Sequence, residues 1–154
     1  MLSKKAKYAL KALLYLTRQY DKGLVIISEI AERERIPRKF LEAILVDLKT
    51  NGVLQSVRGK NGGYYLAKNP AEISVGAIIR MMDGPLAPIP CVSQLYYRKC
   101  DECQDEAKCE IRIIMKKVRD ATADILDNTF LSNLEALSGL VAEEEDYIPT
   151  GKKA

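Results

Sequence analysis

Residues 36–67 read IPRKFLEAILVDLKTNGVLQSVRGKNGGYYLA, and this stretch decides the fold. Pro37 restricts the residue before it and breaks any preceding helix. From Arg38 to Asn51, Phe40, Leu41, Ile44, Leu45 and Leu48 recur on one face at helical spacing. Gly52 stands where a helix C-terminus favours a left-handed residue. Residues 53–57 and 64–67 are rich in Val, Leu and Tyr and read as strands. Between them Arg58-Gly59-Lys60-Asn61-Gly62-Gly63 makes a flexible, charged hairpin loop.

Upstream, residues 24–27 are a short apolar run that predicts a small strand. Ser28 is then the expected N-cap of a helix over Glu29–Arg35, with Ile30 and Ala31 inward. Two helices separated by a few residues form a helix-turn-helix pattern. Followed directly by a hairpin, that pattern predicts a winged helix. Residues 3–20 read as a further helix, with Ala6, Ala9, Leu10, Leu13, Leu14 and Leu16 inward.

Downstream, Ser74 caps a predicted helix over Val75–Met82, and Asp83-Gly84-Pro85 ends it. Residues 84–90, with three prolines, read as an irregular linker. Residues 107–128 predict a long amphipathic helix, with Ile111, Ile114, Met115, Val118, Ala121, Ile125 and Leu126 near heptad spacing. Thr129 or Ser132 is the expected cap of a last helix over Asn133–Val141. The expected organisation is a winged helix-turn-helix domain at 1–83, a linker and cysteine loop at 84–110, a dimerisation helix and C-terminal helix at 111–142, and a charged, disordered tail at 143–154. The fold class is mainly α with a small β-hairpin wing.

The net charge of +3 conceals an asymmetry. Residues 1–70 carry 14 Lys and Arg against 6 Asp and Glu, whereas residues 71–154 carry 10 against 15. The basic half suits a polyanion. A recognition helix would present Pro37, Arg38, Lys39 and Glu42 to base edges. The wing offers Arg58, Lys60 and Asn61, with Gly62 and Gly63 allowing close backbone approach; on the first helix Lys4, Lys5 and Lys7 are expected to hold phosphates, with Tyr8 a further DNA-binding candidate. A wing used for protein contacts is the competing reading.

All four cysteines fall between residues 91 and 109, spaced Cys91-x8-Cys100-x2-Cys103-x5-Cys109, and the chain has no histidine. Clustered thiols without a secretory signal suggest soft-metal or redox chemistry rather than a disulfide framework. The missing histidine removes Ser-His-Asp and Cys-His catalysis and mixed Cys/His metal sites. With no phosphate loop, an enzyme is not expected. No apolar run approaches a membrane span, so a cytoplasmic protein is expected. The residues alone leave an iron–sulfur cluster, structural zinc, a metal-free thiol switch and exposed thiols without a role open.

The sequence resembles the Rrf-two family of bacterial winged helix-turn-helix regulators, the relatives of IscR, NsrR and CymR. The resemblance is carried by Lys7-Tyr8-Ala9-Leu10, by residues 27–88, and by the cysteine loop before a long helix. Its strongest part is Val57-Arg58-Gly59 through Gly62-Gly63-Tyr64. It implies a homodimer on palindromic double-stranded DNA, with Arg58 in the minor groove and residues 37–42 in the major groove. In cluster-binding members three loop cysteines act with a histidine after the last cysteine or an acid on the first helix. Here those positions are Arg112 and Lys7, which do not ligate iron. Cys100 is the replacement the resemblance suggests, giving an all-cysteine site of Cys91, Cys100, Cys103 and Cys109 for a 4Fe–4S or 2Fe–2S cluster. Some relatives act through a protein partner, which leaves a regulator controlled by a partner or metabolite as the alternative.

Overall fold

The computed structural model describes residues 2–141, with side-chain surroundings given up to residue 138. The expected tail at 143–154 lies outside the described residues. Among the described residues, six α-helices and one two-stranded hairpin follow in the order α1 (Lys4–Arg18), α2 (Ile27–Glu34), α3 (Arg38–Thr50), β1 (Leu54–Val57), β2 (Gly63–Leu66), α4 (Val75–Asp83), α5 (Glu110–Asp127) and α6 (Leu131–Val141). Single 3-10 turns occur at Pro70–Glu72 and Pro90–Val92. The mainly helical fold with a β-hairpin wing is as the sequence predicts.

α1 is the spine of the core. Its buried Ala6, Ala9, Ala12, Leu13 and Leu16 fall on one face, and the three alanines let neighbouring helices approach closely. α1 packs against α2, α3, α4, α6 and β2. Ser3 caps it, its hydroxyl accepting from the Ala6 amide at 3.0 Å. The same residue also bonds Asp83 at the end of α4, with the Ser3 amide donating to Oδ2 at 2.9 Å. α3 contributes Leu41, Ile44, Leu45 and Leu48, and Leu131 of α6 closes the core from the far side. Burying each such Leu contributes roughly 1.5–3 kcal/mol.

Five local expectations need correction. Residues 24–27 do not form a strand. Only Val25 pairs, through reciprocal amide–carbonyl bonds with Tyr64 at 3.0 and 2.8 Å. That bridge ends the extended run early, so α2 begins at Ile27, and Ser28 lies inside the first turn instead of capping it. Phe40 is not a core residue; it is exposed and stands edge-on to Tyr8, with ring centroids 5.7 Å apart.

The long helix starts at Glu110 rather than 107, because Asp105 holds the preceding turn through the Ala107 amide at 2.9 Å. Finally, α6 starts at Leu131, not at 133. Its entry is pinned by the Leu131 amide bonded to the Ile73 carbonyl at 3.0 Å and by Asn133 Oδ1 accepting from the Phe130 amide at 3.1 Å. Thr129 instead donates back to the Ile125 carbonyl at 2.7 Å.

The α2–α3 turn is built by Arg35, which adopts a left-handed φ of 52°, by buried Ile36 and by Pro37. α2 is held to α1 by Tyr15, whose hydroxyl donates to Glu29 Oε1 at 2.5 Å. Hydrogen bonding to that carboxylate raises the Tyr15 pKa. Lys11 and Arg18 of α1 flank Glu34 at 3.8 and 3.5 Å. The helix-turn-helix is therefore fixed on its spine by packing and by polar ties together.

Candidate nucleic-acid interface and cysteine loop

α3 is half buried, and its other half is the candidate reading surface. Its outward residues are Arg38, Lys39, Glu42, Ala43, Val46, Lys49 and Thr50. Arg38 Nε lies 3.3 Å from Glu42 Oε1, one helical turn away, with both side chains exposed. Pro37 precedes the first turn and is also exposed. Ala43, Val46 and Lys49 were not singled out from the sequence. The signal was present, since they continue the face of Lys39 and Glu42 at helical spacing. Exposed small apolar groups such as Ala43 and Val46 suit thymine methyls.

The wing stands beside this face. β1 and β2 pair antiparallel in the register Leu54↔Leu66 to Val57↔Gly63. Val46, Lys49, Ser56, Val57, Arg58, Gly63 and Tyr64 line a cleft of about 270 Å³ between α3 and the wing. Arg58, Lys60 and Asn61 are exposed at the tip. Gly59 takes φ of 113°, and its carbonyl accepts from the Gly62 amide at 3.0 Å to close the turn. A Cβ on Gly62 would lie 2.1 Å from the Val57 carbonyl oxygen, and one on Gly63 would lie 2.7 Å from that of Val25. Gly62 is thus required by the turn itself, and Gly63 by the backbone at Val25 that bridges to the wing.

The first-helix residues divide. Lys7 is exposed. Lys5 is tied to Asp47 of α3 at 2.7 Å and so joins two helices. Tyr8 is half buried, packed on the core and on Phe40.

The second candidate site joins α4 to α5. Cys91 is buried in the 3-10 turn at Pro90–Val92. Arg119 of α5 donates to the Val92 carbonyl at 2.5 Å and fixes this turn to the long helix. Cys91 and Cys100 share a cavity of about 350 Å³ with Arg98, Lys99, Asp101, Glu102 and Ile111. Cys100 and Cys103 bracket a tight turn in which the Cys103 amide donates to the Cys100 carbonyl at 3.2 Å. Cys109 is the N-cap of α5, its Sγ accepting from the Arg112 amide at 3.5 Å. Desolvation pushes the Cys103 thiol above its usual range, and the adjacent Cys109, Cys100 and Glu106 push it the same way.

The donor chemistry fits a soft metal or cluster, because four thiols lie on one short segment. The arrangement is not closed. Cys103 neighbours Cys109 and Cys100, while Cys91 lies in the wall of the adjoining cavity. Among the described residues, no three Cys, Asp or Glu groups converge as a metal-holding set. Arg112 faces Glu106 at 3.9 Å and Lys7 is exposed on α1.

Comparison with known proteins identifies the architecture. Residues 2–136 match the family model described as Rrf2, iron-dependent transcriptional regulator. The chain belongs to this family. It is 42% identical over 146 residues to an rrf2-like HTH-type transcriptional regulator of Rhodobacter capsulatus, covering 93% of this chain and 97% of that protein. The structure of CymR, the global cysteine regulator of Bacillus subtilis, superposes with a TM-score of 0.74 at 29% identity, covering 89% of this chain and 97% of that one. IscR of T. potens superposes with a TM-score of 0.69 at 27% identity, covering 98% and 93%. The family is one of transcriptional regulators and not of enzymes, and membership implies DNA binding. Among the described residues no helix is long and apolar enough to cross a membrane.

Proposed function

We propose that this regulator binds palindromic double-stranded DNA as a homodimer and that its four-cysteine loop is the sensing element. The observation that carries the reading is the position of the thiols. They occupy the segment of chain between α4 and α5, and two of them lie where that segment meets α5. Cys91 sits in the turn that Arg119 of α5 holds, and Cys109 caps the first turn of α5.

On DNA, Arg38, Lys39 and Glu42 of α3 enter the major groove with Ala43, Val46 and Lys49 behind them. Arg58, Lys60 and Asn61 of the wing reach the adjacent minor groove, with Lys7 on phosphate. Backbone contacts set register and affinity, and base-edge contacts set sequence. The partner subunit is a second copy, taken on α5. That helix has no buried residue, yet exposes Ile111, Ile114, Val118 and Ile125 along its length. Such a stripe is what an isolated chain leaves for a partner to cover.

Cys91, Cys100, Cys103 and Cys109 would hold a 4Fe–4S or 2Fe–2S cluster, which would supply redox and ligand-exchange chemistry at this loop. Any ligand that alters DNA affinity must favour one loop arrangement over another. Here the chain's own levers are the Arg119–Val92 bond and the Cys109 cap, since Cys91 adjoins the first and Cys109 makes the second.

One observation favours a second reading. Cys103 and Cys109 already neighbour each other without a metal-holding set around them, which suits a thiol switch or a protein or metabolite partner, with zinc as a structural variant. Anaerobic purification followed by an absorbance spectrum and iron, sulfide and zinc assays separates these. Broad absorbance with matching iron and sulfide supports the cluster. Zinc in colourless protein makes the loop structural. Metal-free protein that stays empty after reconstitution supports the thiol or partner reading.

A further inference from the structure

The junction of α4 and α5 carries a polar latch that the site above does not use. Arg80 of α4 donates through Nη1 and Nη2 to both carboxylate oxygens of Asp127, the last residue of α5, at 2.5 and 2.9 Å. Bidentate pairing fixes an angle as well as a distance. Gly76 lies four residues before Arg80 on the same face of α4. A Cβ there would stand 2.1 Å from Asp127 Oδ1, so a larger residue would push the carboxylate out of this pairing.

The charge placement argues that the pair serves the junction and not the helix that bears it. The last turn of α5 contains Asp124 and Asp127 and no basic residue. An anion at a helix C-terminus opposes the helix dipole. The same carboxylate lies over the first turn of α4, which has no acidic residue of its own. Arg80 therefore satisfies an aspartate that α5 alone disfavours. A backbone strap sits beside the latch: the Val75 amide bonds the Thr129 carbonyl at 2.8 Å, and the Leu131 amide bonds the Ile73 carbonyl at 3.0 Å. The strap fixes where α5 meets the winged domain, and the latch fixes its direction.

We infer that Arg80, Asp127 and Gly76 are specificity-determining positioning residues that set the spacing between the two DNA half-sites a dimer accepts. The inference rests on the proposed dimer through α5. With that helix as the shared element, its angle to α4 becomes the angle between the two recognition helices. α5 has 18 residues and is roughly 27 Å long. A one-base-pair change in spacing moves a half-site by roughly 3.4 Å along the duplex and turns it by about 34° around it, so freedom in the α4–α5 angle is what would let one dimer accept more than one spacing. Loss of the latch therefore blurs half-site spacing by about one base pair while leaving the base-reading face of α3 untouched.

The test is selection from a random-sequence duplex DNA library with the full chain, comparing wild type with Asp127→Asn, Arg80→Lys and Gly76→Ala. Far-ultraviolet circular dichroism and sedimentation confirm folded protein of unchanged oligomeric state, and a variant that fails either check is replaced by the next. The expected wild-type result is a paired motif of one spacing. Asp127→Asn and Gly76→Ala are expected to select the same half-site sequence at two or more spacings, with Arg80→Lys intermediate. If the variants keep the single wild-type spacing, the latch does not set it and the inference fails while the dimer reading stands. If wild type itself selects an unpaired motif, the two-fold reading falls and takes the inference with it. A merely structural role would lower affinity without widening the spacing.

Discussion

Lys49 Nζ of α3 donates to Ser56 Oγ of β1 at 2.7 Å, so the helix and the wing that flank the reading cleft are tied by one bond between exposed side chains. The two residues play different parts, because only Lys49 brings a charge. Lys49→Ala is expected to lower DNA affinity about equally across sequences and to reduce the slope of log K against log salt by about 1. Ser56→Ala keeps the cation, so it is expected to leave the slope unchanged and to shift stability by less than about 0.5 kcal/mol. Fluorescence anisotropy titrations over a range of salt concentrations check both. An unaltered slope in Lys49→Ala would assign that residue to the tie alone.

Arg58 stands exposed at the wing tip, far along the chain from the cysteine loop, so reading and sensing are expected to separate by mutation. Arg58→Ala is expected to cost about 1–3 kcal/mol in specific binding and to leave metal content as in wild type. Cys103→Ser is expected to change metal content while the apo chain keeps its helical content, since Cys103 is only partly buried and belongs to no core cluster. Gel-shift affinity and metal analysis of both variants provide the check. Operator affinity untouched by Arg58→Ala would refute the wing assignment.

The parts of this molecule that sequence made legible are those with a period or a steric rule. The inward face of α3 was readable from Leu41 to Leu48, and the wing from its glycines and charges, because the helical repeat and turn chemistry are local properties. Phe40 shows the limit. Its spacing matches the core face, but it lies at the margin of that face, where Tyr8 of another helix gives it a partner outside the core. The Arg80–Asp127 pair, 47 residues apart, and the Lys5–Asp47 tie had no such signal, since periodicity identifies a face and not what will meet it. The cysteine loop was legible as a cluster of thiols. That Cys109 would end as a helix cap was not, because Asp105 moves the start of α5 and that turn depends on local competition between hydrogen bonds.

The thiols are expected to react in a definite order. Cys100 is exposed, Cys103 and Cys109 are partly buried and Cys91 is buried. The thiolate is the reactive form, so reactivity follows both exposure and pKa. Cys103, with its pKa raised by desolvation and by the neighbouring Cys109, Cys100 and Glu106, is expected to react slowly at neutral pH and to speed up as pH rises. Peptide-resolved mass spectrometry after timed alkylation of reduced, metal-free protein measures this. Cys91 labelling as fast as Cys100 would mean that the turn at Pro90–Val92 opens freely and that Arg119 does not hold it.

Asp127 gives the acid side of stability a specific prediction. Hydrogen bonding to Arg80 lowers its pKa in the folded chain, overcoming a smaller desolvation penalty. A carboxylate with a depressed folded pKa stabilises the fold above its unfolded value of about 3.9, and that contribution is lost as pH falls through the folded value. Because 42% of the Asp127 side chain and 28% of Arg80 remain exposed, solvent screening limits the pair to under about 1 kcal/mol. Asp127→Asn removes the titration. The difference in melting temperature between wild type and variant is therefore expected to stay constant from about pH 5 to 8 and to shrink towards zero as acid is added below about pH 4. The same comparison at high salt should reduce the plateau, because a pair this exposed is screened. A gap that persists at pH 2 would show that Asn disturbs the α4–α5 junction by shape, through the close contact at Gly76, and not by loss of charge.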